Sequence, residues 1–299
     1  MQKINKPSLK DIYLNYIFML QVDGRSTKTI EWYRMILDDF IEYIGNFDNL
    51  NILKVYEYIA FLRKRNLKPA TINDYTKAIK IFLKYLFENN FINEELHKKI
   101  KKQSLPKQYP YILNDEQVAK LLKACPRKTF EDFRNYVILL TFLDTGIRLS
   151  ELLNLTINDI NLVKRSLLIR SGKGQKEREV YMGKSLVKAL AQYIKRRGFI
   201  PYEDKLFVSS SGKPLQPRTV QKIIKELGQK AGITGVRCSP HTLRHTFATN
   251  FIRNGGDVFT LQRILGHSDI STCMIYVHIG GKDVQIAMSK FSPIDRFIK

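Results

Sequence analysis

Apolar residues recur at helical spacing through the first hundred positions. Ile30, Tyr33, Leu37, Phe40, Ile41 and Ile44 form one stripe, and Ile72, Tyr75, Ile79, Phe82, Leu83 and Leu86 form another. Shorter stripes run through Leu9, Tyr13, Ile17 and Leu20, and through Val55, Ile59 and Leu62. The pattern predicts four helices, each burying one face. Asp23-Gly24 and Asn66 mark turns between them, and Thr71 to Asp74 has the spacing of a capping box. These stripes are core and carry no chemistry.

The periodicity breaks between Lys98 and Pro110, a basic, polar stretch holding Pro106 and Pro110. Asn114-Asp115-Glu116-Gln117 then reads as a new helix start. Further on, Ser166-Leu167-Leu168-Ile169-Arg170 and Glu179-Val180-Tyr181-Met182 read as strands around Gly172-Lys173-Gly174. Helices follow near 185–197 and 217–232. The expected fold class is mainly α with a small antiparallel sheet. The expected division is a helical domain over 1–105 and an α+β domain over 106–299.

Charge adds a partner to this picture. The 299 residues carry a formal net charge of +22, with both halves basic, which points to a polyanion and most often to nucleic acid. Lys77, Lys80 and Lys84 share one face of the fourth helix, with Arg63-Lys64-Arg65 at the end of the third. Lys176 and Arg178 alternate with Glu177 and Glu179 on the returning strand, leaving one basic face. These five residues (Lys77, Lys80, Lys84, Lys176 and Arg178) are the expected DNA contacts. No apolar run approaches the roughly 18 residues of a membrane span. The N-terminus has no stretch resembling a signal peptide, and three cysteines show no framework spacing. A reduced, cytoplasmic setting without membrane contact is expected.

Two pieces of chain about a hundred residues apart carry the candidate chemistry. The first is Thr145-Gly146-Ile147-Arg148-Leu149-Ser150-Glu151-Leu152. The second runs from Pro240-His241-Thr242-Leu243-Arg244-His245-Thr246 to Leu265-Gly266-His267 and Tyr276. Attack on a phosphodiester builds negative charge on the non-bridging oxygens. Arginine presents a planar fork that matches two of them and stays charged at working pH, so Arg148 and Arg244 suit a phosphate clamp. His241 and Arg244, three apart, share a helix face. His267 follows a glycine helix end and can donate to the phosphate. Tyr276 is the nucleophile candidate: its phenol needs neighbouring cations or a proton acceptor, because its ordinary pKa is about 10. Lys173, in a glycine turn, suits a general acid for the leaving 5′ oxygen. His97, His245 and His278 are assigned structural hydrogen bonds. Cys238, His241, His267 and Cys273 resemble scattered zinc ligands, but no paired Cys-x-x-Cys exists. Neither a phosphate-binding glycine loop nor a close carboxylate cluster appears, so no metal and no cofactor is expected.

On these boxes the chain resembles the tyrosine recombinases, the integrase family of phages, integrative elements and the Xer proteins. The resemblance spans nearly the whole length. It implies Arg148 as a catalytic arginine with Glu151 as its supporting acid, Lys173 as the catalytic lysine of Gly172-Lys173-Gly174-Gln175-Lys176-Glu177-Arg178, then His241, Arg244, His267 and Tyr276. It implies a SAM-like core-binding domain at the N-terminus and a C-shaped clamp around duplex DNA. With no extra domain expected before the first helix, the compact Xer-like layout is favoured over the arm-binding lambda type. The implied DNA site has two inverted-repeat arms. A tail with Val284, Met288 and Phe291 at helical spacing would dock on a neighbouring protomer, giving a homotetramer on two sites, with a possible second recombinase or accessory protein.

The implied activity is site-specific cutting and rejoining of duplex DNA through a 3′-phosphotyrosyl link, without metal or ATP. Xer-like chromosome dimer resolution is the expected role. Integration or excision of a mobile element is the alternative, followed by a type IB topoisomerase-like enzyme. A DNA-binding regulator without catalysis ranks behind these, because the set of candidate catalytic residues is complete.

Overall fold

The computed structural model describes residues 7–106, 109–170 and 177–280. It divides into two compact units, Met1–Lys107 and Gln108–Lys299.

The first unit is built from α1 (Leu9–Val22), α2 (Thr27–Ile44), α3 (Ile52–Lys64) and α4 (Pro69–Glu88), with a short α5 (Leu96–Lys99). Polar caps set the starts of the first three. Ser8 and Asp11 form a capping box on α1, Ser26 caps α2, and Asn51 caps α3. The fourth helix departs from the sequence expectation. It begins at Pro69 behind an uncapped Lys68, so Thr71 and Asp74 lie inside it. Proline at the first helical position is already set for that turn and overrides the later signal. The stripes meet in one core containing Phe40, Tyr58 and Phe82. The chain leaving α5 stays attached to this unit. Asn73 exchanges two hydrogen bonds with the Gln103 backbone (2.9 and 3.0 Å), and Tyr56 donates to the Lys99 carbonyl.

The second unit contains α6 (Asp115–Ala124), α7 (Phe130–Thr145), α8 (Leu149–Asn154), a 3-10 turn at Ile157–Asp159, and the strands β1 (Ile160–Asn161), β2 (Ser166–Ile169) and β3 (Arg178–Tyr181). It continues with α9 (Lys184–Arg197), α10 (Pro217–Lys230), α11 (Pro240–Arg253), α12 (Val258–Leu265) and α13 (Ser271–Gly280). The sheet is antiparallel in the order β1-β2-β3, with Leu167 opposite Val180 and Ile169 opposite Arg178. β1, two residues long, is too short to show an alternating pattern and was not foreseen. Asn114 and Gln117 form the capping box expected at the start of α6.

The buried face of α7 (Val137, Ile138, Leu139, Phe142) packs with the sheet and with Leu190 and Tyr193 of α9 in the main core. A second, smaller core joins α11, α12 and α13 through Ala248, Ile252, Leu261, Leu265, Cys273 and Tyr276. Among the described residues, no helix is long and apolar enough to cross a membrane. Lys173, Lys176 and the tail residues Val284, Met288 and Phe291 lie outside the described residues.

Candidate active site

The site begins at the turn that ends α7. Gly146 takes a left-handed conformation (φ +61°) and caps the helix on the Phe142 carbonyl. A Cβ at this position would stand 2.2 Å from the Phe247 ring. Both the torsion and the close approach therefore demand glycine. The turn delivers Arg148 to the N-cap of α8, where Glu151 accepts from its backbone N–H at 2.7 Å and from its guanidinium at 2.9 Å.

Glu151 holds a second arginine. Arg178 of β3 meets it with both terminal nitrogens, at 2.9 and 2.8 Å. Burial alone would raise the Glu151 carboxyl, but the hydrogen bonds and charges of Arg178 and Arg148 bring it down to about 2. Arg178 was expected to face DNA. It is instead turned inward, its side chain 13% exposed, where it pairs with Glu151 of α8 and donates to the Ile264 carbonyl.

Arg244, on α11, is buried (5% exposed) without a carboxylate of its own. It donates to the carbonyls of Gly146 (2.5 Å) and Leu265 (2.9 Å) and approaches Nε2 of His267 at 2.9 Å. Burial, and then the charge of Arg148, lowers its pKa to about 10, so it stays charged at neutral pH.

Three successive carbonyls at the end of α12 receive three arginines. Ile264 accepts from Nε of Arg178 at 2.7 Å, Leu265 from Arg244, and Gly266 from Arg148 at 3.3 Å. The last carbonyls of a helix lack intrahelical partners and carry the negative end of its dipole, which suits cations. Gly266, in the left-handed region (φ 63°), ends the helix and releases His267 into the site.

The ring state of His267 follows from its neighbours. A guanidinium only donates, so Nε2 must hold the lone pair and Nδ1 the proton. Nδ1 lies 2.7 Å from Oγ1 of Thr272, which in turn donates to the Asp269 carbonyl. Burial, reinforced by Arg244, Arg148 and Arg178, holds the ring neutral with a pKa of about 4. In this arrangement His267 braces Arg244 through Nε2, where the sequence suggested a donor aimed at phosphate.

Tyr276 is 2% exposed, and its hydroxyl lies 2.8 Å from Nδ1 of His245. Burial raises its pKa, with Arg244 opposing. Arg148, His241, Arg244, His245, His267 and Tyr276 all line one cavity of about 570 Å³, with Tyr109 and Tyr111 at its edge. Arg148 and Arg244 line the cavity, and with Arg178 behind them they outweigh the single charge of Glu151, which suits an anion. Among the described residues, no group of three or more His, Cys, Asp or Glu is placed to hold a metal ion.

Five of the expected residues thus share the cavity: Arg148, His241, Arg244, His267 and Tyr276. Glu151 stands behind Arg148. Of the expected DNA contacts in the first unit, Lys77 and Lys84 are exposed, whereas Lys80 donates to the Ile100 carbonyl at 2.7 Å. Sequence reasoning missed His245 and the two tyrosines. The signal for His245 was present: it sits four residues after His241 and so shares the helix face that His241 and Arg244 define. Tyr109 lies within the basic Lys98–Pro110 stretch and Tyr111 just after it, and neither fits a pattern in the sequence.

Comparison with known proteins identifies the family. Residues 112–282 match the phage integrase family, and residues 12–90 match the phage integrase N-terminal SAM-like domain. The chain is 35% identical over 283 residues to the tyrosine recombinase XerA of Pyrococcus furiosus, covering 93% of both chains. It is 29% identical to the tyrosine recombinase XerD of Staphylococcus aureus, covering 95% of this chain and 99% of that one. Among solved structures it resembles the XerH site-specific recombinase bound to palindromic difH substrate in a post-cleavage complex. The TM-score is 0.76 at 26% identity, over 89% of this chain and 80% of that one. The chain belongs to the phage integrase family and is a tyrosine recombinase, an enzyme that cleaves and rejoins DNA.

Proposed function

We propose that Tyr276 is the nucleophile that joins the protein to a DNA 3′ phosphate, and that the biological role is Xer-like resolution of chromosome dimers. The observation that carries the chemistry is the single cavity shared by Arg148, His241, Arg244, His267 and Tyr276. Arg148 and Arg244 hold the non-bridging oxygens of the scissile phosphate. His241, exposed at the cavity, donates to the same phosphate. Glu151 fixes Arg148, and Arg178 fixes Glu151. Lys173 protonates the leaving 5′ oxygen. Energy of the broken ester is kept in the phosphotyrosyl bond, so the reverse attack by a 5′ hydroxyl reseals the strand without an external energy source.

The likeness to Xer recombinases over nearly the whole chain supports the resolution role, two inverted arms in the target and four protomers on two sites. A mobile-element integrase shares the same cavity and is the second reading. Covalent trapping tests both chemistry and target. Nicked duplexes drawn from the source genome are offered to the wild type and to Tyr276→Phe, without metal or ATP, and the attached DNA is sequenced. Adducts at one inverted-repeat chromosomal site, formed only by the wild type, are expected. Adducts at the ends of an element favour the integrase. Adducts at many unrelated sites mean relaxation in place of recombination. Adducts with Tyr276→Phe reject the nucleophile.

A further inference from the structure

His245 has no part in the chemistry just described, yet it is the side chain that meets the Tyr276 hydroxyl. We propose that His245 is a catalytic residue: it holds the Tyr276 hydroxyl through Nδ1 and takes its proton as the phenol oxygen attacks phosphorus. The inference rests on Tyr276 being the nucleophile.

Geometry comes first. The separation of 2.8 Å is within reach of a general base. Of the other candidate acceptors, exposed His241 is assigned to the phosphate, and His267 and Glu151 are already engaged. His267 directs its lone pair at Arg244 and its other ring nitrogen at Thr272. Both oxygens of Glu151 accept from arginines. Arginines cannot accept a proton. Among the described residues, His245 is the side chain hydrogen-bonded to the hydroxyl.

Electrostatics then gives the device a direction. Burial, followed by the charges of His241 and Arg244, keeps the His245 ring neutral, with a pKa of about 4. Its lone pair is therefore free at neutral pH, but it is a weak base. A phosphodiester seated on Arg244 offsets that positive charge and makes the imidazole more basic. Proton acceptance strengthens when a phosphate is present to be attacked, and without DNA the hydroxyl keeps its proton.

The step balances. The Tyr276 Oη–P bond forms and the P–O5′ bond breaks, its electron pair leaving on the 5′ oxygen. The phenol proton passes to Nδ1 of His245, and the 5′ oxygen takes a proton from Lys173. On resealing, the imidazolium returns its proton to the phenol oxygen. This requires the His245 tautomer protonated at Nε2.

Two measurements on the full chain test the inference. In ¹⁵N spectra without DNA, Tyr276→Phe should shift the Nδ1 resonance of His245. An unmoved resonance means the hydrogen bond is not made, and the inference fails. Single-turnover cleavage is then compared on the nicked duplex recovered by trapping. His245→Asn places an oxygen near the position of Nδ1 and keeps the acceptor, but cannot take a proton. It should bind that duplex within about twofold of wild type and cut about 10²-fold more slowly at neutral pH. The deficit should shrink about tenfold per pH unit as hydroxide replaces the missing base. Sulfur at the bridging 5′ position should not rescue it, because sulfur relieves only the leaving group. His245→Ala should be at least as slow. Wild-type rates in both His245 variants, a deficit indifferent to pH, or rescue by sulfur would overturn the assignment. An adduct formed by Tyr276→Phe rejects the nucleophile reading itself. Normal cutting by His245→Asn with no adduct in Tyr276→Phe rejects the inference alone.

Discussion

Arg178 meets Glu151 through two parallel hydrogen bonds, and the same carboxylate grips Arg148 from the other side. One carboxylate thus sets the position of a cavity arginine through a second arginine that never reaches the cavity. Both partners of the Arg178 pair are largely buried, with side chains 13% and 10% exposed. Removing Arg178 leaves the Glu151 carboxylate with Arg148 as its remaining partner, so the loss falls below the roughly 3–5 kcal/mol of a fully orphaned charge, at about 1–3 kcal/mol. Arg178→Ala is therefore expected to lower unfolding free energy by about that amount in denaturant titrations. Arg178→Lys should recover only part of it, because an ammonium cannot reproduce the parallel pair together with the bond to Ile264. Unchanged stability with weaker DNA binding would return Arg178 to the role of a phosphate contact.

Acid should weaken the protein in two stages. His245 and His267 have folded pKa values near 4, below the ordinary 6.5, so the unfolded chain takes up protons first. Their contribution is full above about pH 6.5 and is lost as pH falls toward 4. Glu151, held near 2 against an ordinary 4.5, contributes above about pH 4.5 and loses that contribution as pH falls toward 2. Unfolding free energy measured against pH should show both declines. His245→Asn should flatten the upper one and Glu151→Gln the lower. A wild-type curve level between pH 6.5 and 4.5 would contradict the histidine environments described above.

Gly146→Ala combines two penalties, a non-glycine residue at φ +61° and a methyl group inside the Phe247 ring. Left-handed backbone costs roughly 1–2 kcal/mol and overpacking roughly 1–3. A loss of about 2–5 kcal/mol is expected in chemical denaturation. Phe247→Leu should partly restore the double variant, since it removes the clash and leaves the torsional cost. Additive losses would show that the ring is not the obstacle.

The lysines of α4 should separate. Under the proposed DNA-binding role, Lys77→Ala should weaken duplex binding and reduce the log–log salt slope by about 1. Lys80→Ala should leave the slope unchanged, because its ammonium is held 2.7 Å from the Ile100 carbonyl, and should cost about 1 kcal/mol of stability. Equal slope changes for both would mean that DNA draws Lys80 away from that carbonyl.

The helices were legible because periodicity reports burial directly: Phe40, Phe82 and Leu86 lie where their stripes put them. The cavity residues were legible because their side-chain chemistry is particular and their boxes are short. What could not be read falls into two kinds. Arg178 and Lys80 carry the charge that suits DNA, but a partner distant in sequence turns each inward, and alternation or helix phase says nothing of that partner. His245 was set aside because a single histidine is usually structural, although its helix phase matched His241. The start of α4 was misread because a capping-box spacing and a preceding proline competed, and proline prevailed.

The row of carbonyls at Ile264, Leu265 and Gly266 has a consequence for how this site is inherited. The angular setting of three arginines is written in the length of α12, since backbone atoms receive them. Side chains at 264 and 265 can change for others that fill the same core and leave the row where it is. Adding or removing one residue within α12 turns the row by about 100° and shifts it by about 1.5 Å. All three guanidinium groups would lose their acceptors together. Along these eight residues the chain tolerates spelling changes far better than a change in the number of letters.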